Sequence, residues 1–250
     1  MLSVFSTLKE MLFLWVRNFW YLVALTLITG TFAIFLECLD NYGQAQRSLL
    51  LPLLGMSVPL GGLLLDAVNA AAILGLLRRQ SLGKTAGVAV WSSIETYTWT
   101  LFRLIFLIGI IAVPFIAAMV GVVLILKLGQ IAFLIGFAFF LIFLKYALAD
   151  PLVVVENLRA RAALKRSWKM TKGHFWYVMG CYLFLGAGEW LINWLMALPL
   201  PDADAKTSWV GIPVEFGSKL IDSMWIILSW CMYLRIKETD APLPTEAVLS

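Results

Sequence analysis

The feature that most constrains this chain is the placement of its charges. Six runs, at roughly 19–38, 52–77, 101–126, 129–149, 176–198 and 214–234, are predominantly apolar, and most Lys and Arg residues stand at or near their ends. At a rise of 1.5 Å per residue, a helix of about 20 residues crosses a ~30 Å hydrocarbon core. Backbone groups in lipid have no water to bond, so each run must satisfy its own hydrogen bonds, and an α-helix does that within one segment. The expected fold is therefore all-α: a single polytopic membrane domain over 1–250, with about six transmembrane helices and amphipathic helices at the interface. Only 14% of residues are charged, against about a quarter in a soluble domain, and 62% are hydrophobic.

Cationic residues also give an orientation. With both termini in the cytoplasm, Lys9, Arg17, Arg78, Arg79, Lys84, Arg103, Lys145, Arg235, Lys237 and the cations of 159–172 fall on or near that side. Arg47, Lys127, Lys206 and Lys219 fall outside. This is a positive-inside bias, and it predicts N-in/C-in. The net charge of +4 does not point to nucleic acid, because the cations cluster at membrane boundaries, where the partners they suit are anionic lipids.

The densest cluster is Glu156–Tyr177, in which Arg159, Arg161, Lys165, Arg166, Lys169 and Lys172 are opposed by Glu156 alone. At 100° per residue Ala160, Leu164, Trp168 and Thr171 share one face, and Arg159, Lys165, Arg166 and Lys169 share the other. Such a helix lies in the interface with its charges towards headgroups. Arg159, Arg161, Lys165, Arg166, Trp168, Lys169 and Lys172 are thus candidate contacts for anionic lipid or a membrane-protein partner. The same charges also serve simply to set topology and anchor the chain.

Residues 3–17 form a second interfacial candidate, with Val4, Phe5, Leu8, Met11, Leu12 and Trp15 on one face and Ser6, Lys9, Glu10 and Arg17 opposite. Thr85–Trp99 is loosely amphipathic and reads as a third interfacial or re-entrant segment, with continuation into the following span left open. A short polar loop is expected at Asp40, Asn41 and Gln46, and Pro59 should kink the second span. Residues 199–213 read as a structured connection and 238–250 as a flexible tail. LKEMLFLWVRNFWY (8–21) and LKRSWKMTKGHFWY (164–177) share Leu-Lys and Phe-Trp-Tyr at equal offsets. They suggest three units of interfacial helix plus hairpin, at 1–77, 84–149 and 156–236, although aromatic belts alone also produce such likeness.

Ionisable groups inside spans are costly and so mark functional candidates. Glu189 and Asn193 in the fifth span, with Lys219 and Asp222 in the sixth, fall at similar depth, and a Glu189–Lys219–Asp222 network is feasible. Asp66 and Asn69 form a second polar pair in the second span. Each group serves as a substrate or proton site, or as glue between helices. Cys38, Cys181 and Cys231 read as small buried residues, and the single histidine, His174, as a belt residue. No HExxH, GxSxG or CxxC motif is present, so no catalytic residue, metal or cofactor is expected. Small-xxx-small spacings at Ala71/Gly75, Ala117/Gly121 and Ala132/Gly136 suit close helix packing.

The stretch ALADPLVVVENLRARAALKRSWKMTKGHFW (147–176) resembles the YciC-like bacterial inner-membrane proteins. It is also similar to the membrane domain found beside glycerophosphodiester phosphodiesterases. Pro151, Glu156, Ala163–Trp168, Gly173 and Phe175-Trp176 carry the likeness. The resemblance implies a multi-pass protein of the bacterial cytoplasmic membrane and brings over no catalytic residues, since the phosphodiesterase chemistry lies in a separate soluble domain. The expected function is non-enzymatic envelope or lipid-related work, such as scaffolding at an anionic surface. The alternative is a small-molecule or lipid transporter using Glu189, Asp222 or Asp66.

Overall fold

A computed structural model of the chain describes residues 2–45, 51–82, 87–126, 129–197 and 211–240. The described residues are helical almost throughout, with no strand among them. Among the described residues nine helices follow in order: α1 (Val4–Arg17), α2 (Phe19–Ala45), α3 (Leu51–Ser81), α4 (Gly87–Leu126), α5 (Gly129–Leu144), α6 (Ala149–Val155), α7 (Ala160–Gly173), α8 (Phe175–Ala197) and α9 (Gly211–Asp240). Among the described residues four stretches are long and apolar enough to cross a membrane, namely Leu60–Ser81, Val90–Val123, Leu134–Val155 and Phe175–Ile192. A fifth appears if α1 and the first half of α2 count as one broken span. Over its described side chains α9 is less apolar, beginning with Lys219 and Asp222 and ending with Arg235–Asp240.

Two elbows carry the change from amphipathic to apolar helix. Between α1 and α2 the axis turns by 72°. At that elbow the Asn18 side chain donates to the Leu14 carbonyl at 2.8 Å, while the Asn18 carbonyl accepts from Tyr21 and Leu22 to start α2. One residue thus closes one helix and opens the next. His174 stands at the second elbow: its backbone N–H donates to Thr171 and its carbonyl accepts from Val178. Each elbow precedes a Phe-Trp-Tyr run, 19–21 and 175–177, whose Trp20 and Trp176 are exposed, as suits a headgroup belt.

Segment 85–99 differs from its interfacial or re-entrant reading. From Gly87 it is continuous with the following span as the 40-residue α4, which passes through Pro114. At 1.5 Å per residue α4 measures about 60 Å, twice a hydrocarbon core. This segment packs on α3 through a small residue, with Gly75 so close to Ser93 that a Cβ there would overlap the Ser93 side chain, while Trp91 and Trp99 are exposed. The polar loop expected at Asp40 and Asn41 is instead the last turns of α2, while Gln46 lies outside the described residues. Pro59 lies within α3, with its side chain outside the described set. Residues 198–210 and 241–250 lie outside it as well, although Glu238–Asp240 of the expected tail continue α9.

Burial is concentrated at one end. The core joins Leu8 and Met11 of α1, Ala67–Leu77 of α3, Leu101 and Leu104 of α4, Leu144–Val154, Tyr177–Leu185 of α8 and Ile227–Ile236 of α9. α9 is its axis, packed against α1, α2, α3, α6 and α8. Beyond this layer the helices present apolar side chains outward: Ile110, Val113, Ile116, Val120 and Val123 of α4 are exposed, as are Leu183, Phe184, Leu191 and Leu195 of α8. Lipid tails solvate such residues as well as another helix would.

Candidate functional site

The basic segment is a docked helix. α7 buries Ala160, Ala163, Ser167, Met170 and Thr171, and it packs on α6, α4 and α8. The interior face is therefore rotated from the expected one. Ala160 and Thr171 face protein as anticipated, Leu164 is half-buried and Trp168 remains 38% exposed. The reason is size: Ala and Ser on the 160/163/167 stripe allow close approach to α6, whereas an indole does not. Arg159, Arg161, Lys165, Arg166, Lys169 and Lys172 remain exposed.

Two contacts fix the register of α7. Ser167 Oγ donates to the Lys145 carbonyl at 2.8 Å and accepts the Leu148 N–H at 3.2 Å, satisfying two backbone groups in the turn after α5. Lys145 Nζ then lies 3.9 Å from the centre of the Trp168 ring, and Tyr146 packs on the same indole at 5.8 Å. A cation over an indole contributes about 0.5–1 kcal/mol at an exposed site. On the other flank Arg166 Nε lies 3.7 Å from Glu156.

Glu156 belongs to a network at the packed end that the sequence reading did not foresee. It accepts from Tyr233 Oη at 3.2 Å, and Lys237 donates to the same hydroxyl. Arg78 donates to Tyr97 Oη and, at 2.7 Å, to the Val154 carbonyl in the last turn of α6. One guanidinium thereby joins α3, α4 and α6, and caps a helix end that lacks its own partners. Around it Asn18 pairs with Gln80, Thr7 with Tyr177 and Trp15 with Ser223. Arg235 makes two bonds to Glu10 at 3.0 and 3.1 Å, which push the guanidinium further above its usual pKa. His174 Nε2 lies 3.1 Å from Asp240. Arg78 had only a topological meaning in sequence, because its partners come from three distant segments.

The intramembrane polar residues form one group where two were expected. Lys219 lies 3.8 Å from Asp66 of α3 and 3.8 Å from Asp222 one turn along α9. Glu189 does not join Lys219; its carboxylate accepts the Trp225 indole N–H at 2.7 Å. The side chains of Lys219, Asp66 and Asp222 are 41, 57 and 48% exposed, so they stand at the rim of the packed layer. Asp66 lies roughly 20 Å along α3 from Arg78. Asn69 is half-buried on the same helix, and the Asn193 side chain lies outside the described set. Among the described residues no cluster of His, Cys, Asp or Glu could hold a metal ion. Cys181 and Cys231 are buried free thiols, and Cys38 lies where side chains are not described.

Compared with family models, characterised proteins and solved structures, the chain matches none of them.

Proposed function

We propose that this chain is a non-enzymatic, multi-pass protein of the bacterial inner membrane whose basic end is a platform for anionic lipid or for partner proteins of the envelope. Six spans with both termini in the cytoplasm fit the charge distribution, with α2 and α9 adding to the four strongest candidates. The observation that carries the reading is the orientation of α7. Its small residues are used up on α6 and α4, so its exposed cations are displayed on a surface that is already rigid. Each such residue near an anionic surface contributes roughly 1 kcal/mol. The likeness at 147–176 to YciC-like proteins supports the same location.

The test is thermal stability of the purified full-length chain in detergent across a lipid panel. Anionic lipid should raise the melting temperature of wild type more than zwitterionic lipid does. The difference should shrink in Lys165→Gln/Lys169→Gln/Lys172→Gln, and equal shifts with both lipid types in wild type would sink the proposal.

A specific observation also favours transport: two carboxylates from different helices, Asp66 and Asp222, flank a single ammonium, Lys219, and Glu189 of α8 is held on Trp225, one turn further along α9. The same melts on Glu189→Gln/Asp222→Asn decide it. A small molecule or lipid that stabilises wild type and not this variant makes the group a binding site. A uniform loss of stability without loss of any ligand response makes it interhelical glue.

A further inference from the structure

We infer that Lys145, Lys165, Trp168 and Lys172 form a site for the phosphate of a single anionic glycerophospholipid, at the seam where α7 meets the end of α5. The inference rests on the platform reading and narrows it, from general attraction of an anionic surface to one seated headgroup. Arg161, Lys165, Trp168 and Lys172 succeed one another at steps of four, three and four residues, so they form one stripe along α7. All are exposed. The stripe borders α5 because Trp168 carries Lys145 Nζ on its face at 3.9 Å and Tyr146 at 5.8 Å. Arg166 belongs to the opposite flank, where it meets Glu156.

The site is held before any ligand arrives. Ser167, adjacent to Trp168, binds the Lys145 carbonyl and the Leu148 N–H, which pins the backbone that carries the ammonium to the helix that carries the indole. An ammonium has three donors, and one turned towards a ring leaves others for phosphate oxygens. Lys165 and Lys172 stand one turn to either side of the indole. No carboxylate lies on the stripe; of the nearest acids in sequence, Glu156 is engaged by Tyr233 and Arg166, and Asp150, five residues after Lys145, stands in the first turn of α6. That chemistry accepts a phosphodiester of net negative charge and gives no partner to the amine of a zwitterionic headgroup. The exposed indole places the site at headgroup depth, where tryptophan is enriched.

The experiment compares variants of the full-length chain in detergent: wild type, Lys145→Gln, Lys9→Gln and Trp168→Ala, each melted with and without dioleoyl phosphatidylglycerol. The lipid should raise the wild-type melting temperature, and the rise should fall below half in Lys145→Gln and Trp168→Ala while Lys9→Gln, at an exposed lysine of α1 outside the site, keeps it. Trp168→Phe, which retains a weaker ring face, should lie between and guards against a folding defect in the alanine variant. Equal losses in Lys145→Gln and Lys9→Gln would mean diffuse charge attraction, overturning the site and leaving the platform. No rise in wild type would overturn both. An equal rise with soluble glycerol phosphate, or with polyglutamate, would assign the surface to a free phosphate compound or an acidic protein and overturn the lipid.

Discussion

The packed end and the apolar half of this molecule are built from the same element, the long helix, yet they are held in different ways. At the packed end five helices meet through polar ties: Arg78 to Tyr97 and Val154, Glu156 to Tyr233, Arg235 to Glu10, Asn18 to Gln80. In the other half the α4–α5 hairpin is predominantly apolar, with Phe115 packed on Phe139 and much of its surface exposed. In lipid an apolar side chain gains little by leaving its neighbours for another helix, whereas an unpaired polar group costs several kcal/mol. Polar residues therefore decide where helices are locked, and apolar ones decide only that they stay in the membrane.

Matched substitutions should expose this contrast most strongly. Gly75→Ala puts a Cβ onto Ser93 at the tightest point of α3 and α4, and should destabilise by about 2–3 kcal/mol, a cost typical of overpacking. Gly121→Ala, in the other half, meets nothing within 4 Å and should leave the melting temperature unchanged or slightly raised. Similar effects at both sites would show that the two halves are equally packed, contrary to the contrast drawn here.

Arg78→Gln should follow, at about 1–2 kcal/mol, since it leaves the Val154 carbonyl without its charged donor. Arg78→Lys should recover part of that, because both bonds leave one nitrogen, Nη1, and an ammonium has donors enough for two acceptors but sits on a shorter side chain. Helix-end melting read by hydrogen exchange at α6 would localise the effect. If α6 exchanged no faster in Arg78→Gln, the guanidinium would not be its cap.

The contrast also marks what was legible in the chain. Apolar run length places the long helices well, because spanning lipid is a local requirement that each segment meets alone. The amphipathic pattern of 3–17 gives α1 as a helix, but not which part of its apolar face meets protein. Leu8 and Met11 are buried, whereas Phe5 and Leu12 are exposed. The pattern cannot tell protein from lipid when both are apolar. For the same reason 87–99 looked interfacial and is the extension of α4. Depth counting brought Glu189, Lys219 and Asp222 to one level, yet the partner choice turned on rotation. Lys219 takes Asp66 from α3, a residue assigned to another group, and Glu189 takes an indole.

The smallest expected effect is the one that tests how α1 is held. Glu10 and Arg235 lie 225 positions apart in the chain and make a two-bonded pair between α1 and α9, each about a third exposed. A pair of that exposure should show a coupling of only ~0.5 kcal/mol in a double-mutant cycle of Glu10→Gln and Arg235→Gln, reduced further in high salt. Meanwhile α1 keeps Thr7 on Tyr177 at 2.6 Å, Trp15 on Ser223 at 3.1 Å and Met11 in the core. The pair therefore sets the register of an already docked helix, and losing it should leave α1 in place. A coupling of several kcal/mol, or release of α1 to protease on breaking this pair alone, would mean that α1 is held by charge as an interfacial helix is, and would move it out of the packed end.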